Sequence, residues 1–389
     1  MNIRCFPHKE ADIKHEKMGF GFMRLPLRNA ENDSSVDVEQ VKKMVDQFMA
    51  HGFTYFDTAA PYHGGKSEVA LRGALVKRYP RSAYTITDKL SLFMLKSEAE
   101  FQPFFDAQLE RLGVEYVDYY WLHGLGEATY HQAEAMHAFD FIRQKKAEGL
   151  VMHIGMSFHD KAALLDEILT KHPEMGYVQL QLNYLDWEDP TVESRKCYEI
   201  ATKHHKPVIV MEPIKGGCLV NIPEKAKALF REKRPELSIA SWAIRFAASP
   251  ANVMMVLSGM SNEKQMEDNI SYMEWFEPLD EKEQAVIQQA KEIIKASIAI
   301  PCTACRYCLD DCPGHVAIPD YFSIYNNLEQ FGPAQGMVAM TYYGNLIRNH
   351  GKASDCIRCG RCEGHCPQHL PIREYLKTVA ADLEQGYGG

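Results

Sequence analysis

The chain has 389 residues, more than one hydrophobic core of ordinary size encloses, so a large domain with a smaller companion is the default organisation. Its net charge is −9, from 43 Lys and Arg against 52 Asp and Glu, and the basic residues are scattered, which argues against a nucleic-acid or anionic-membrane partner. Residues 1–19 lack an apolar leader core and no later segment has the uncharged length of a bilayer span, so a cytoplasmic protein is expected.

From about residue 18 to residue 280, short apolar runs alternate with amphipathic stretches. The strand candidates are 19–25, 55–58, 84–89, 116–123, 152–158, 177–182, 207–212 and 253–258. Eight near-continuous apolar runs separated by helices predict a parallel sheet covered on its outer face, and their span fits a closed (β/α)8 TIM barrel with its chemistry at the C-terminal strand ends. Val41, Met44, Val45, Phe48 and Met49 make one helical stripe, and Gly52 is placed to end that helix. Ser97 with Glu100 predicts a capping box ahead of Phe101, Phe104, Phe105 and Leu112. A second box, Asp280 with Glu283, opens a helix to about Ile294, and the domain boundary is expected there: barrel 1–284, second domain 285–389.

The second domain carries the most specific pattern in the chain. Eight of eleven cysteines fall in Cys302-x2-Cys305-x2-Cys308-x3-Cys312-Pro313 and Cys356-x2-Cys359-x2-Cys362-x3-Cys366-Pro367. Three thiolates spaced by two residues wrap three corners of a cubane, and the fourth, ahead of a proline, ligates the other cluster. Zinc sites and a disulfide framework are the competing readings, but zinc prefers separated pairs and each run holds four cysteines. Two 4Fe-4S clusters are therefore expected. They fit a reducing compartment, as do the extra cysteines Cys5, Cys197 and Cys218. About 40 residues separate the runs, and 321–328 and 335–349 look helical, so a small, mostly α-helical ferredoxin-like domain is predicted.

The strand ends hold a candidate tetrad: Asp57 and Tyr62 after the second strand, Lys89 on the third and His123 on the fourth. A buried Lys–Asp pair beside a tyrosine suits a phenol acting as a proton donor. Bringing tyrosine from ~10 to ~7–8 takes about 3–4 kcal/mol. An ammonium at ~4 Å in an effective dielectric of ~20 offers about 4 kcal/mol. Singly, each residue also has an ordinary reading as a cap, a core histidine, a surface aromatic or a solvated charge.

Gly19-Phe20-Gly21, Asp57, Tyr62, Lys89, His123, Gly155-Met156-Ser157, Gln179-Leu180-Gln181, Glu212-Pro213-Ile214 with Gly216-Gly217, and Ser258-Gly259-Met260 resemble the aldo-keto reductase superfamily over residues 15–280. With its tail, the chain resembles the branch bearing a C-terminal ferredoxin-like domain. The resemblance implies a nicotinamide cofactor, Tyr62 as general acid, Lys89 lowering its pKa, Asp57 fixing Lys89, and His123 orienting a small-molecule carbonyl or alcohol substrate. It implies that Ser157 and Gln179 hold the carboxamide and that Gly216 and Gly217 approach the pyrophosphate. Gly21, Met23, Met211, Pro213, Ser258, Gly259, Gln265 and Asn269 complete the implied cofactor-binding set.

Three departures from the family pattern matter. Met211 stands where many members stack an aromatic ring on the nicotinamide. After the eighth strand only Lys264 is basic, beside Glu263, so NAD(P) is expected without strong NADP preference. Asp88 adjoins Lys89, and strand alternation points it away. Cys218 reads better as a buried thiol than as a cofactor contact. Trp121, Tyr184, Trp187 and Phe158 divide evenly between pocket lining and core.

A nicotinamide moves two electrons as hydride and a cubane takes one, so a mediator such as a flavin normally joins them. The leading expectation is a nicotinamide-dependent carbonyl–alcohol oxidoreductase whose clusters relay electrons to a redox protein partner or act as structural staples. The alternatives are an iron-sulfur electron-transfer component whose barrel is a non-catalytic scaffold, and a flavin-linked enzyme, since barrels bind FMN without a linear motif.

Overall fold

The computed structural model describes residues 17–296, 299–302, 304–309, 311–366 and 368–384. Cys5, Pro367 and most of residues 1–19 lie outside them. Eight parallel strands among the described residues close a barrel in chain order: β1 (Met18–Gly21), β2 (Tyr55–Asp57), β3 (Thr85–Leu90), β4 (Val117–Leu125), β5 (Val151–Phe158), β6 (Tyr177–Gln181), β7 (Val208–Met211) and β8 (Val253–Ser258). Strand β1 is shorter than its apolar run: the Phe22 amide makes the last bond of its ladder with β2, to the Asp57 carbonyl at 2.8 Å, and the chain then turns. Strand β4 continues two residues past His123.

Alternation sorts the side chains. Phe20, Phe56, Ile86, Leu122, Val178 and Val210 point outward under the helices. Tyr55, Trp121, Ile209, Met255 and Leu257 fill the interior. Glycines make that interior possible. A Cβ on Gly155 would lie 2.4 Å from the Tyr177 carbonyl oxygen and 2.5 Å from the Trp121 ring, so only glycine leaves room for the indole. Trp121 is thus barrel core and not pocket lining. Tyr184 packs with Phe230 and Phe246, Trp187 with Tyr198 and Phe246, and Phe158 is buried in the main core, so these aromatics too resolve as packing.

Helix Val38–Ala50 buries the expected stripe, Val41, Met44, Val45 and Phe48, each side chain stabilising by about 1.5–3 kcal/mol as an upper bound. Asp37 caps it through the Gln40 amide, and Gly52 follows at φ 84°. The box expected at Ser97 does not form. Residues Glu98–Glu100 make a 3-10 turn, the helix starts at Phe101, Ser97 makes no side-chain cap bond, and Glu100 accepts from the Lys96 amide instead, so the reciprocal bonds of a box are not made. The Asp280–Glu283 box is complete, with reciprocal bonds of 2.7 and 3.1 Å, and opens helix Glu281–Lys295. Its buried face, Ile287, Ala290 and Ile294, packs on Ala226, Phe230 and Trp242.

The cysteine-rich segment is helical between its runs, Ile318–Phe331 and Gly336–Leu346, and closes with Ile372–Leu383. Tyr321, Phe322, Tyr343, Leu376 and Val379 build its core, which also takes in Val192 from the loop after β6. It sits on the C-terminal face of the barrel. Ser323 bonds Asp189 at 2.9 Å, Asn345 bonds the His159 carbonyl at 3.2 Å, and Asp320 pairs with Lys161 at 3.5 Å. No helix of the described residues is long and apolar enough to cross a membrane.

Candidate functional site

Asp57 ends β2 and Lys89 is the penultimate residue of β3; both share the inward parity of Tyr55 and Thr87. The Lys89 ammonium reaches Asp57 Oδ1 at 2.6 Å and the Thr58 carbonyl at 2.9 Å. It lies 4.9 Å from the centroid of the Tyr62 ring, and the ring stands edge-on to His123 at 6.0 Å. The four tetrad residues therefore converge. Tyr62 opens a short turn, Tyr62–Gly65, whose next residue, His63, has left-handed backbone (φ 53°). His63 is spoken for: its Nε2 accepts from the Leu25 amide at 3.0 Å and its Nδ1 meets Asp33.

Electrostatics qualify one expectation. Burial raises the Tyr62 phenol above its ordinary pKa, and the Lys89 charge pulls it back only in part. Lys89 lowers the pKa relative to a site without it, but the net direction is upward and the phenol keeps its proton. Burial opposes the Lys89 charge, yet attraction to Asp57 and Tyr62 overcomes it and holds the ammonium above its usual value. Burial also raises Asp57, against the pull of Lys89. His123 is driven well below the ordinary histidine value by burial and then by Lys89, so it is neutral. Its Nδ1 meets the Ser91 hydroxyl at 2.7 Å. Asp57 Oδ2 is buried and has no partner among the described residues.

Asp88 faces outward, as alternation required. It is buried beside Glu68, itself paired with Arg111, and burial together with the Glu68 charge pushes it well above the ordinary carboxylate range.

Most of the expected cofactor residues lie at or just beyond the same strand ends. Ser157 is the penultimate residue of β5 and accepts from the Gly124 amide at 2.7 Å. Gln179 is buried on β6, Met211 is half-buried at the end of β7, and Pro213 is buried just beyond. Glu212, Lys215, Gly216 and Gly217 all have positive φ, at 55, 50, 66 and 93°, and a Cβ on Gly217 would meet nothing within 4 Å. Two non-glycine left-handed residues cost about 1 kcal/mol or more each, so this loop is held by its surroundings. Across the opening, Gly21 backs onto the Ser258 carbonyl, Met23 is half-buried in the following turn and Gly259 is exposed under Arg24. Asn262 caps helix Glu263–Met273 through the Gln265 amide, and the Gln265 side chain accepts from the Ser261 amide at 2.7 Å. Asn269 is buried and bonded to Gln265, Ser258 and Tyr272, which positions the helix rather than facing the opening.

The cysteine runs exchange their fourth members. One cavity is lined by Cys302, Cys305, Cys308 and Cys366, the other by Cys312, Cys356, Cys359 and Cys362. Ile318 lines both. Amides of Ala304 and Val316 donate to the sulfurs of Cys302 and Cys312 at 3.5 and 3.4 Å. Thiols disposed around a cavity, with amides turned to sulfur, fit a cubane with bulk of its own. Among the described residues no three metal-ligating side chains draw close enough for a single ion.

Sequence reasoning missed several residues at the opening. Arg24 lies over Gly259 and pairs with Glu212 at 3.5 Å. Phe93 packs on His123, and His159, lowered to about 4 by burial, neighbours Tyr342. Lys215 is 1 % exposed and forms an ion pair with Asp186. Gln335 and Tyr342 arrive from the cysteine-rich domain. Lys215 stood beside a glycine pair already singled out, whereas nothing local marks Gln335 or Tyr342, whose partners are more than 100 residues away.

The sequence model of the Aldo/keto reductase family matches residues 17–292, and that of a 4Fe-4S dicluster domain matches 301–370. The fold is similar to an aldo-keto reductase from Bacillus halodurans in its holo form (23 % identity, 70 % of this chain and 91 % of that one, TM-score 0.57). It is also similar to an aldo-keto reductase from Klebsiella pneumoniae in complex with NADPH (17 % identity, 70 % and 90 %, TM-score 0.54). In sequence the chain is 20 % identical to the NADH-specific methylglyoxal reductase of Escherichia coli strain K12, over 69 % of this chain and 93 % of that protein.

Proposed function

Because the chain belongs to the aldo/keto reductase family and carries a 4Fe-4S dicluster domain behind its barrel, we propose that it interconverts a small carbonyl compound and its alcohol with a nicotinamide cofactor at the strand ends. The observation that carries this reading is the Lys89 ammonium, clamped by Asp57 and the Thr58 carbonyl beneath a phenol that retains its proton. A bound nicotinamide supplies or accepts the hydride. Tyr62 then donates its proton to the substrate oxygen as negative charge develops there, and Lys89 stabilises the phenolate left behind. With the Ser91 hydroxyl donating to Nδ1, neutral His123 keeps its own proton on Nε2 and directs it as a hydrogen bond to the same oxygen without transferring it.

Ser157 and Gln179 would take the carboxamide, Met211 the nicotinamide face, and the open turn at Gly216–Gly217 the pyrophosphate. The Asn262-capped helix supplies amide dipoles for phosphate. We propose no strong NADP preference, because Arg24 is neutralised by Glu212 and Lys264 adjoins Glu263. NADH and NADPH should then bind within a few-fold of each other; a hundredfold preference for NADPH overturns this point. The clusters serve as an electron relay to a redox partner or as staples of the tail, and a reductive titration with and without NADH decides between these roles. Tyr62→Phe should cut turnover by about 10²–10⁴-fold while nicotinamide affinity changes little. Unaltered turnover would count against this reading, no nicotinamide binding by the iron-loaded protein would leave the barrel a scaffold, and a yellow chromophore on purification would turn the reading toward a flavin.

A further inference from the structure

The loop after β7 is fastened from the other domain. Gln335 closes the turn Gly332–Gln335 and is 1 % exposed. Its Nε2 donates to the Lys215 carbonyl at 2.7 Å and to Cys218 Sγ at 3.4 Å. The Lys215 ammonium turns the other way, onto Asp186 Oδ1, while Asp186 Oδ2 accepts from Gln181 at 2.8 Å and Asn183 at 2.6 Å. Asn183 also donates to the Glu212 carbonyl at 3.1 Å. The far end of this chain is again a cysteine-domain residue, since the Tyr342 hydroxyl donates to Gln181 Oε1 at 3.3 Å.

One buried network thus begins at Tyr342, crosses the ends of β6 and β7, and ends at Gln335. Between its ends lie the left-handed residues Glu212 and Lys215, which need outside bonds to keep their backbone. A barrel alone lacks both end members.

We infer that Gln335 and Tyr342 are positioning residues through which the cluster domain holds the Gly216–Gly217 loop in its cofactor-receiving shape. This rests on the reading that the loop takes the nicotinamide pyrophosphate. Gln335→Met in the full-length, iron-loaded protein keeps the side chain's bulk and deletes both donated bonds. Iron and sulfide content should stay at the parent level, the NADH and NADPH dissociation constants from fluorescence titration should rise about tenfold, and kcat at saturating cofactor should hold. Tyr342→Phe removes one hydroxyl without disturbing packing and should raise the same constants about twofold to threefold. Parent-like nicotinamide binding by both variants, with clusters intact, overturns the inference alone. A parent protein that binds neither NADH nor NADPH overturns the reading of the site and the inference with it.

Discussion

Two buried lysine–aspartate pairs stand at the same end of the barrel. Lys89–Asp57 and Lys215–Asp186 are equally hidden, and in both attraction to the carboxylate outweighs burial and raises the lysine. They differ in what is left over. Asp186 has both oxygens filled, by Lys215, Gln181 and Asn183. Asp57 keeps an oxygen without a partner among the described residues, and its lysine faces a phenol at the opening. A saturated pair holds shape; a pair with unspent capacity can respond to charge that appears during a reaction.

Breaking either pair should be expensive, because removal of one partner strands a buried charge. Lys89→Met and Lys215→Met should each lose about 3–5 kcal/mol in chemical denaturation. Their functional signatures should separate: Lys89→Met in kcat, Lys215→Met in nicotinamide dissociation. If both appear in kcat, the distinction between the pairs fails. Asn183→Ala is a milder probe. It leaves Asp186 Oδ2 with one donor and the Glu212 carbonyl without its side-chain partner, and should cost about 1–3 kcal/mol by the same measurement. The equivalent loss from a change near Asp57 Oδ2, where no bond exists to delete, should be smaller.

The gentlest test is the pH profile of carbonyl reduction. His123, lowered by burial and Lys89, has already shed its proton below the usual ~6.5, and Tyr62, raised by burial, keeps its proton past the usual ~10. Reduction should be flat between those limits, while alcohol oxidation, which needs the phenolate, should climb with alkalinity. An acid limb near 6.5 would show a histidine still exchanging protons with bulk solvent.

Much of this was legible in the residues. Strand alternation placed Asp57, Lys89, His123 and Ser157 on one inner face, and two cysteine runs of identical spacing marked two cubanes, because periodicity and ligand spacing are local properties. The Ser97 cap failed because an extra 3-10 turn carries no separate composition. Trp121 read ambiguously because the space it fills is made by Gly155 on the next strand. Gln335 and Tyr342 were invisible for a stronger reason: their partners are set by how one domain lands on another, which no window of sequence contains. Arg24 hid in the same way, since its neighbour Gly259 comes from the far end of the barrel chain.

Val192 has a consequence for synthesis. It belongs to the barrel by chain order and to the cysteine domain by packing. The ribosome releases it well before the second cysteine run exists, so a nascent barrel waits with an apolar residue bare beside Asp189 and Lys161, the anchors that later meet Ser323 and Asp320. Folding of the cysteine domain is then also the step that covers this edge of the barrel.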